Sequence, residues 1–115
     1  MFTGEYTQKM DTKGRTIVPA KFREELGTSV VVTRGLDGCL FAYSKEAWHA
    51  LEEKLSSLPF ADRKVRDFNR FFLAGASELE TDKLGRVLMP AVLRKFGNLD
   101  KEVVWVGVGD RLEIW

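Results

Sequence analysis

The chain has 115 residues, 44% hydrophobic and 30% charged, with a formal net charge of +1 at pH 7. That balance suits one compact folded domain whose core needs no staples, and it excludes a disordered or fibrous protein. No apolar run approaches the roughly 18 residues of a membrane-spanning helix. A signal-peptide pattern is absent from the first ten residues, and the single Cys39 has no partner for an internal disulfide, so a cytoplasmic protein is expected.

The first strand pattern runs into Asp11-Thr12-Lys13-Gly14-Arg15, where glycine supplies the positive φ of a tight hairpin turn or its bulge. A strand over 16–18 follows. Pro19 then opens a short helix, at a position where its missing N–H costs nothing, and Gly27 stops it. Two strands come next, the β-branched "SVVVTR" and then "CLFAY". Ser44 caps a helix in which Ala47, Trp48, Leu51, Leu55 and Leu58 fall at helical spacing before Pro59 closes it. In the next helix Val65, Phe68, Phe71 and Phe72 share one side, and Arg63, Lys64, Arg66 and Arg70 lie largely on the other. The apolar stripes read as core or subunit contact and the basic side as a solvated surface. The chain then returns to Asp82-Lys83-Leu84-Gly85-Arg86, a strand over 87–89, Pro90 with a short helix, Gly97, and the strands "EVVWVGV" and "RLEIW". In the last of these, Leu112 and Ile114 alternate with Arg111 and Glu113, the pattern of a half-buried strand.

The second half thus repeats the first. Aligning 11–23 with 82–94 without gaps gives six identities in thirteen positions: Asp11/Asp82, Gly14/Gly85, Arg15/Arg86, Pro19/Pro90, Ala20/Ala91 and Arg23/Arg94. Chance, at roughly 6% per position, would give about one. Allowing short slips, the match extends to Val31/Val103 and Leu40/Leu112. The expected fold class is mainly β with short helices (α+β), with two pseudo-symmetric β units in a single compact domain. The first unit is placed at 1–58, a connecting helix at 59–72 and the second unit at 73–115. Tyr43 leads straight into a helix while its counterpart Trp115 leads no further. The expectation is either a second unit without its helix or a shortened sequence.

Catalytic constellations are missing. A nucleophile needs a base beside it, but the single His49 adjoins Trp48 and is far in sequence from Cys39. One His and one Cys do not supply the four ligands of a zinc site. Asp11 and Asp82 each have an Arg four positions on, which holds a carboxylate ionised and occupied. No Gly-rich phosphate loop is present. An enzyme, a metal, a cofactor and a small-molecule substrate are therefore not expected. The near-neutral charge requires that any nucleic-acid surface be local.

Two readings of the Asp-x-x-x-Arg tip remain. In one, Asp accepts hydrogen bonds from the loop N–H groups and Arg closes a salt bridge worth about 0–1 kcal/mol. In the other, Lys13, Gly14 and Arg15 sit on a protruding β-ribbon, with Lys meeting phosphate and Arg donating twice to guanine. The residues alone leave both open, and the two coexist if Asp aims the Arg.

The stretches "DTKGRTIVPAKFR", "YSKEAW" and "RFFLAGASELETDKLGRVLMPAVLRKFG" resemble the MraZ family, bacterial transcription factors from the cluster of cell-division and cell-wall genes. The resemblance covers essentially the whole chain. It implies two AbrB-like (SpoVT/AbrB) swapped-hairpin units of the double-split β-barrel type. It also implies a homo-oligomeric ring and binding of double-stranded DNA at G-rich direct repeats in the protein's own promoter, usually as a repressor. Such a protein is cytoplasmic and nucleoid-associated. By position, the resemblance makes Arg15 and Arg86 the DNA-contacting residues, with Lys13 and Lys83 beside them and Asp11, Gly14, Asp82 and Gly85 as signature and turn support. Leu84 stands where the first tip has Lys13, so the first tip is expected to matter more. Members of the family usually continue past the position of Trp115 into helical sequence. The rivals are an oligomeric scaffold that binds no DNA and an antitoxin of related fold that binds a toxin as well.

Overall fold

Each Asp-x-x-Gly-Arg turn ends one strand and sends the next away from it. The computed structural model describes residues 1–115. In the first copy, β1 (Phe2–Lys9) reaches the turn, and β2 (Arg15–Ile17), α1 (Ala20–Leu26), β3 (Ser29–Arg34) and β4 (Leu40–Tyr43) follow it. Two helices, α2 (Lys45–Ser56) and α3 (Arg63–Ala74), lead to the second copy. There the order recurs as β5 (Ser77–Glu80), β6 (Arg86–Leu88), α4 (Ala91–Phe96), β7 (Glu102–Gly109) and β8 (Leu112–Ile114). The chain is thus mixed α+β, mainly strand, with two repeated β units.

The two copies exchange strands. One antiparallel sheet runs in the order β1-β7-β8-β4-β3-β5, so β1 borders the second copy and β5 borders the first. The remaining strands, β2 and β6, form a separate antiparallel ribbon. The simple hairpin expected at each tip is therefore reduced to its turn. Met10 and Thr16 make one isolated bridge, and β2 then leaves to pair with β6. Thr16 and Val87, each 1% exposed, point the ribbon's inner face at the core. Val18 N–H donates to the Gly85 carbonyl and Met89 N–H to that of Gly14, tying each end of the ribbon to the opposite tip.

The main core fills the space between the sheet and this ribbon. Phe22 of α1 and Leu93 of α4 meet Val18, Met89, Val103, Trp105, Leu112 and Ile114 there. Phe2 and Tyr6 of β1 pack edge-on against Phe22 at centroid distances of 5.7 and 5.3 Å. A second cluster covers the other face of the sheet, where Trp48, Leu55 and Phe72 of α2 and α3 lie on Val31, Phe41 and Tyr43. That is why every residue of β4 is buried, whereas β8 keeps a buried–half-buried alternation.

Register corrects one expected pairing of the repeat. Val31 lies opposite Tyr43, and Val104, not Val103, lies opposite Trp115. Val31 faces α2 and α3 while Val103 faces the main core. A one-residue slip in a strand changes the face a side chain occupies, and the longer α4–β7 connection hides that slip from a sequence alignment.

The helix ends follow local chemistry. Pro19 and Pro90 stand one residue before their helices, and the Pro19 carbonyl accepts from the N–H groups of Phe22 and Arg23. Gly27 ends α1 at φ 79°, but Gly97 has φ −82° and Asn98 takes the left-handed conformation instead, at φ 53°. Asn is the common alternative to Gly there. Ser44 caps α2, its Oγ accepting from Ala47 N–H at 3.1 Å. α3 is pinned to β3 by Thr33 Oγ1, which donates to the Phe72 carbonyl, and by Arg34 Nε, which donates to that of Phe71 at 2.9 Å. Its basic side faces solvent, with Arg63 and Arg70 both paired to Asp67.

Burial separates the apolar residues of the helical hairpin. Phe72 is 3% exposed and Phe60 is 83% exposed. Phe72→Ala should cost about 3–5 kcal/mol, the usual loss for a buried aromatic. Phe60→Ala should stay within about 0.5 kcal/mol of the parent chain. Urea unfolding of both variants checks the pair.

Candidate nucleic-acid interface

The two tips are built alike. At the first, Asp11 Oδ1 accepts from the backbone N–H of Lys13 at 3.0 Å and of Arg15 at 2.8 Å, while Oδ2 accepts from Arg15 Nε at 2.7 Å. At the second, Asp82 Oδ1 accepts from the N–H of Leu84 and of Arg86, both at 2.9 Å, and Oδ2 accepts from Arg86 Nε at 2.8 Å. Gly14 N–H and Gly85 N–H donate back to the carbonyls of Asp11 and Asp82, each at 3.0 Å. One carboxylate thus closes the turn with one oxygen and holds a guanidinium with the other.

These pairs are partly solvated, so their ionic attraction adds little to stability. Their effect is geometric. With Nε occupied, both terminal Nη nitrogens of Arg15 and of Arg86 have no protein partner. That leaves one edge of each fork free for an outside acceptor.

Ribbon register sets where the forks stand. Arg15 lies opposite Leu88, and Ile17 lies opposite Arg86. Alternation puts these four on the outer face, because Thr16 and Val87 occupy the inner one. Arg15 and Arg86 are diagonal neighbours, about 7–8 Å apart at the backbone. The tip loops that carry Lys13 and Lys83 sit at opposite ends of the ribbon, and both lysines are exposed. Lys83 does not replace Lys13, because Leu84 occupies that position and Lys83 aligns with Thr12.

Two further cations reach the tips. A Cβ built on Gly14 would lie 2.6 Å from Arg94 Nε, and one built on Gly85 would meet the guanidinium of Arg23. Each helix arginine therefore straps over the tip of the other copy, and Arg94 Nε also donates to the Met89 carbonyl at 3.0 Å. Sequence reasoning gave these two no role. Their identity in both copies was the available signal, but contacts made between copies cannot be read from spacing within one. Six cations (Lys13, Arg15, Arg23, Lys83, Arg86 and Arg94) thus gather around two carboxylates, on a chain with a net charge of only +1. This clustering of cations at the two tips is local, as a nucleic-acid surface on a near-neutral protein requires.

The other reactive side chains lie elsewhere. His49 is exposed beside Glu52. Cys39 is buried, and desolvation, followed by the nearby Glu113 carboxylate, pushes its thiol up to about 11. No group of three or more His, Cys, Asp or Glu residues is placed to hold a metal ion.

The tip carboxyls titrate low. Asp11 is held below its ordinary 3.8 first by the Arg15 backbone N–H, against an opposing desolvation, with the Arg15 guanidinium and the Lys13 N–H adding to the lowering. Asp82 is lowered in the same way by Arg86 and Leu84. A depressed folded-state value means that the stabilisation is complete above the unfolded value of about 3.9 and is lost as pH falls through the lower folded value. NMR titration of the two carboxyls should give midpoints below 3.8, with the Arg15 and Arg86 amide shifts following them. Midpoints at or above 3.8 would refute the capping geometry.

Gly14 and Gly85 have φ of 91° and 80° and face the strapping arginines. Gly14→Ala should cost about 1–3 kcal/mol from backbone strain, more with the crowding. Placing it in an Arg94→Ala background should recover only the crowding part, as read by thermal melts.

Comparison with known proteins identifies the family. A family model described as "MraZ protein, putative antitoxin-like" matches residues 1–71 and again 72–115. The proteins named Transcriptional regulator MraZ from Acetivibrio thermocellus and Carboxydothermus hydrogenoformans are each 56% identical over 115 residues, spanning all of this chain and 80% of their own length. That of Caldanaerobacter subterraneus is 53% identical over the same span. With a doubled family match over its whole length and relatives this similar, the chain belongs to the MraZ family.

Proposed function

We propose that this protein is a non-enzymatic, sequence-specific DNA-binding transcriptional regulator that reads duplex DNA with the outer face of the β2–β6 ribbon. One observation carries the proposal: Arg15 and Arg86 share that face, each with Nε held by an aspartate and both Nη nitrogens unpartnered. A two-stranded ribbon fits a major groove about 12 Å wide, and an arginine fork pairs with guanine O6 and N7. Lys13 and Lys83 then meet phosphates, which position the ribbon without reading sequence. The relatives that carry the name Transcriptional regulator support the same reading.

The finer proposal follows the family resemblance. The protein acts in the cytoplasm, at the nucleoid, and represses its own promoter in the cell-division and cell-wall gene cluster by binding G-rich direct repeats. A homo-oligomeric ring presents many ribbons at once, and effective concentration can raise avidity about 10²–10⁴-fold. Avidity compensates for the modest charge of each protomer.

Fluorescence anisotropy with the protein's own upstream sequence tests the reading. Arg15→Ala and Arg86→Ala should each cost about 1–3 kcal/mol per tip and relax the preference for guanine. Lys13→Ala should weaken binding to all sequences alike and reduce the salt slope by about 1. Wild-type protein that leaves DNA unshifted at micromolar concentration and low salt would instead favour an oligomeric scaffold.

A further inference from the structure

The outer face of the ribbon is a two-by-two array, and only half of it is charged. Arg15 stands across from Leu88, and Ile17 stands across from Arg86. Ile17 is 41% exposed and Leu88 is 56% exposed, although both lie within strands. Outward positions of a one-sided strand are ordinarily polar. Nothing in the chain covers these two, because α1, α4 and the sheet all pack on the inner side with Thr16 and Val87. The apolar pair therefore stands in the surface that the two arginines define.

We infer that Ile17 and Leu88 are specificity-determining residues of the same interface, contacting the C5-methyl groups of thymines in the major groove. This rests on the DNA reading above. Neither side chain donates or accepts a hydrogen bond, so neither pairs with phosphate or with the hydrogen-bonding groups of a base. Of the groups that bases offer in the major groove, the thymine methyl is the apolar one. The minor groove displays no methyl group and separates little more than A·T from G·C. The two rows of the array are two residues apart along the strands, about 7 Å, and thus span about two base-pair steps. Each row joins one arginine to one apolar residue, so it suits a guanine on one strand next to a thymine-bearing pair. The antiparallel ribbon presents this combination twice, in opposite directions.

The test uses the full chain and duplexes selected by it from a random pool, with each thymine replaced in turn by deoxyuridine. That exchange removes one methyl and no hydrogen-bonding group. At one or more thymine positions the wild-type protein should lose about fourfold in affinity, the factor for one buried methyl-sized group. Ile17→Ala or Leu88→Ala should bind the thymine duplex more weakly and should no longer distinguish it from the deoxyuridine duplex. If no thymine position is sensitive while Arg15-dependent binding persists, the inference falls and the DNA reading stands. It also falls if the penalty survives in both alanine variants, or if the variants lose affinity equally for both duplexes, as mere support for the arginine stems would give. Absence of any Arg15-dependent binding overturns the DNA reading and this inference together. The wild-type deoxyuridine series needs no variant, and thermal melts confirm that the two alanine proteins are folded.

Discussion

The pairing of β2 with β6 is the constraint on which the rest of the structure depends. Each strand has only three residues, too few for a two-stranded ribbon to persist alone in water. It persists because Thr16 and Val87 are buried beneath it, and because Val18 and Met89, the next residues along, are buried as well. Those residues come from both copies, so neither copy closes a core without the other. The same pairing brings Arg15 and Arg86 onto one face at a diagonal spacing. Shared core and arginine-bearing face are two consequences of one register.

The aspartates act through direction more than through ionic attraction. Partly solvated, Asp11 and Asp82 add little through attraction. Their contribution is directional, because two backbone N–H groups orient each carboxylate and it in turn orients the guanidinium through Nε. Preorganisation of this kind reduces the ordering cost that binding otherwise incurs. Arg23 and Arg94 work from the other side, crossing to the opposite tip and lying against the space that a side chain on its glycine would take. The pseudo-symmetry ends at the far face of the sheet. There α2 and α3 cover β3 and β4, while Val104 and Val106 of β7 remain half-buried.

The local features were readable from the chain. Asp at one position, Gly three later and Arg four later specify the turn, its positive φ and the bonds that close it. Ser44 and the apolar spacing after it specify α2. Alternation specifies β8. These are short-range effects, in which each residue acts on neighbours within a turn or two, so the sequence contains both partners side by side.

What the sequence by itself determined, then, is the unit: turn, strand, short helix, strand, written twice, with Asp11/Arg15 and Asp82/Arg86 as matched pairs. What only the tertiary structure decided is how the units combine. A three-residue strand carries no signal naming its partner, so pairing of β2 with β6 rather than with β1 is settled by which arrangement buries Thr16, Val18, Val87 and Met89 together. Register across the long α4–β7 connection is settled likewise, by which valines reach the core. The straps of Arg23 and Arg94 exist only after that exchange. The question left by "DTKGR", whether its arginine serves the fold or a partner, is answered by atoms: Nε serves the fold, and the Nη edge is free.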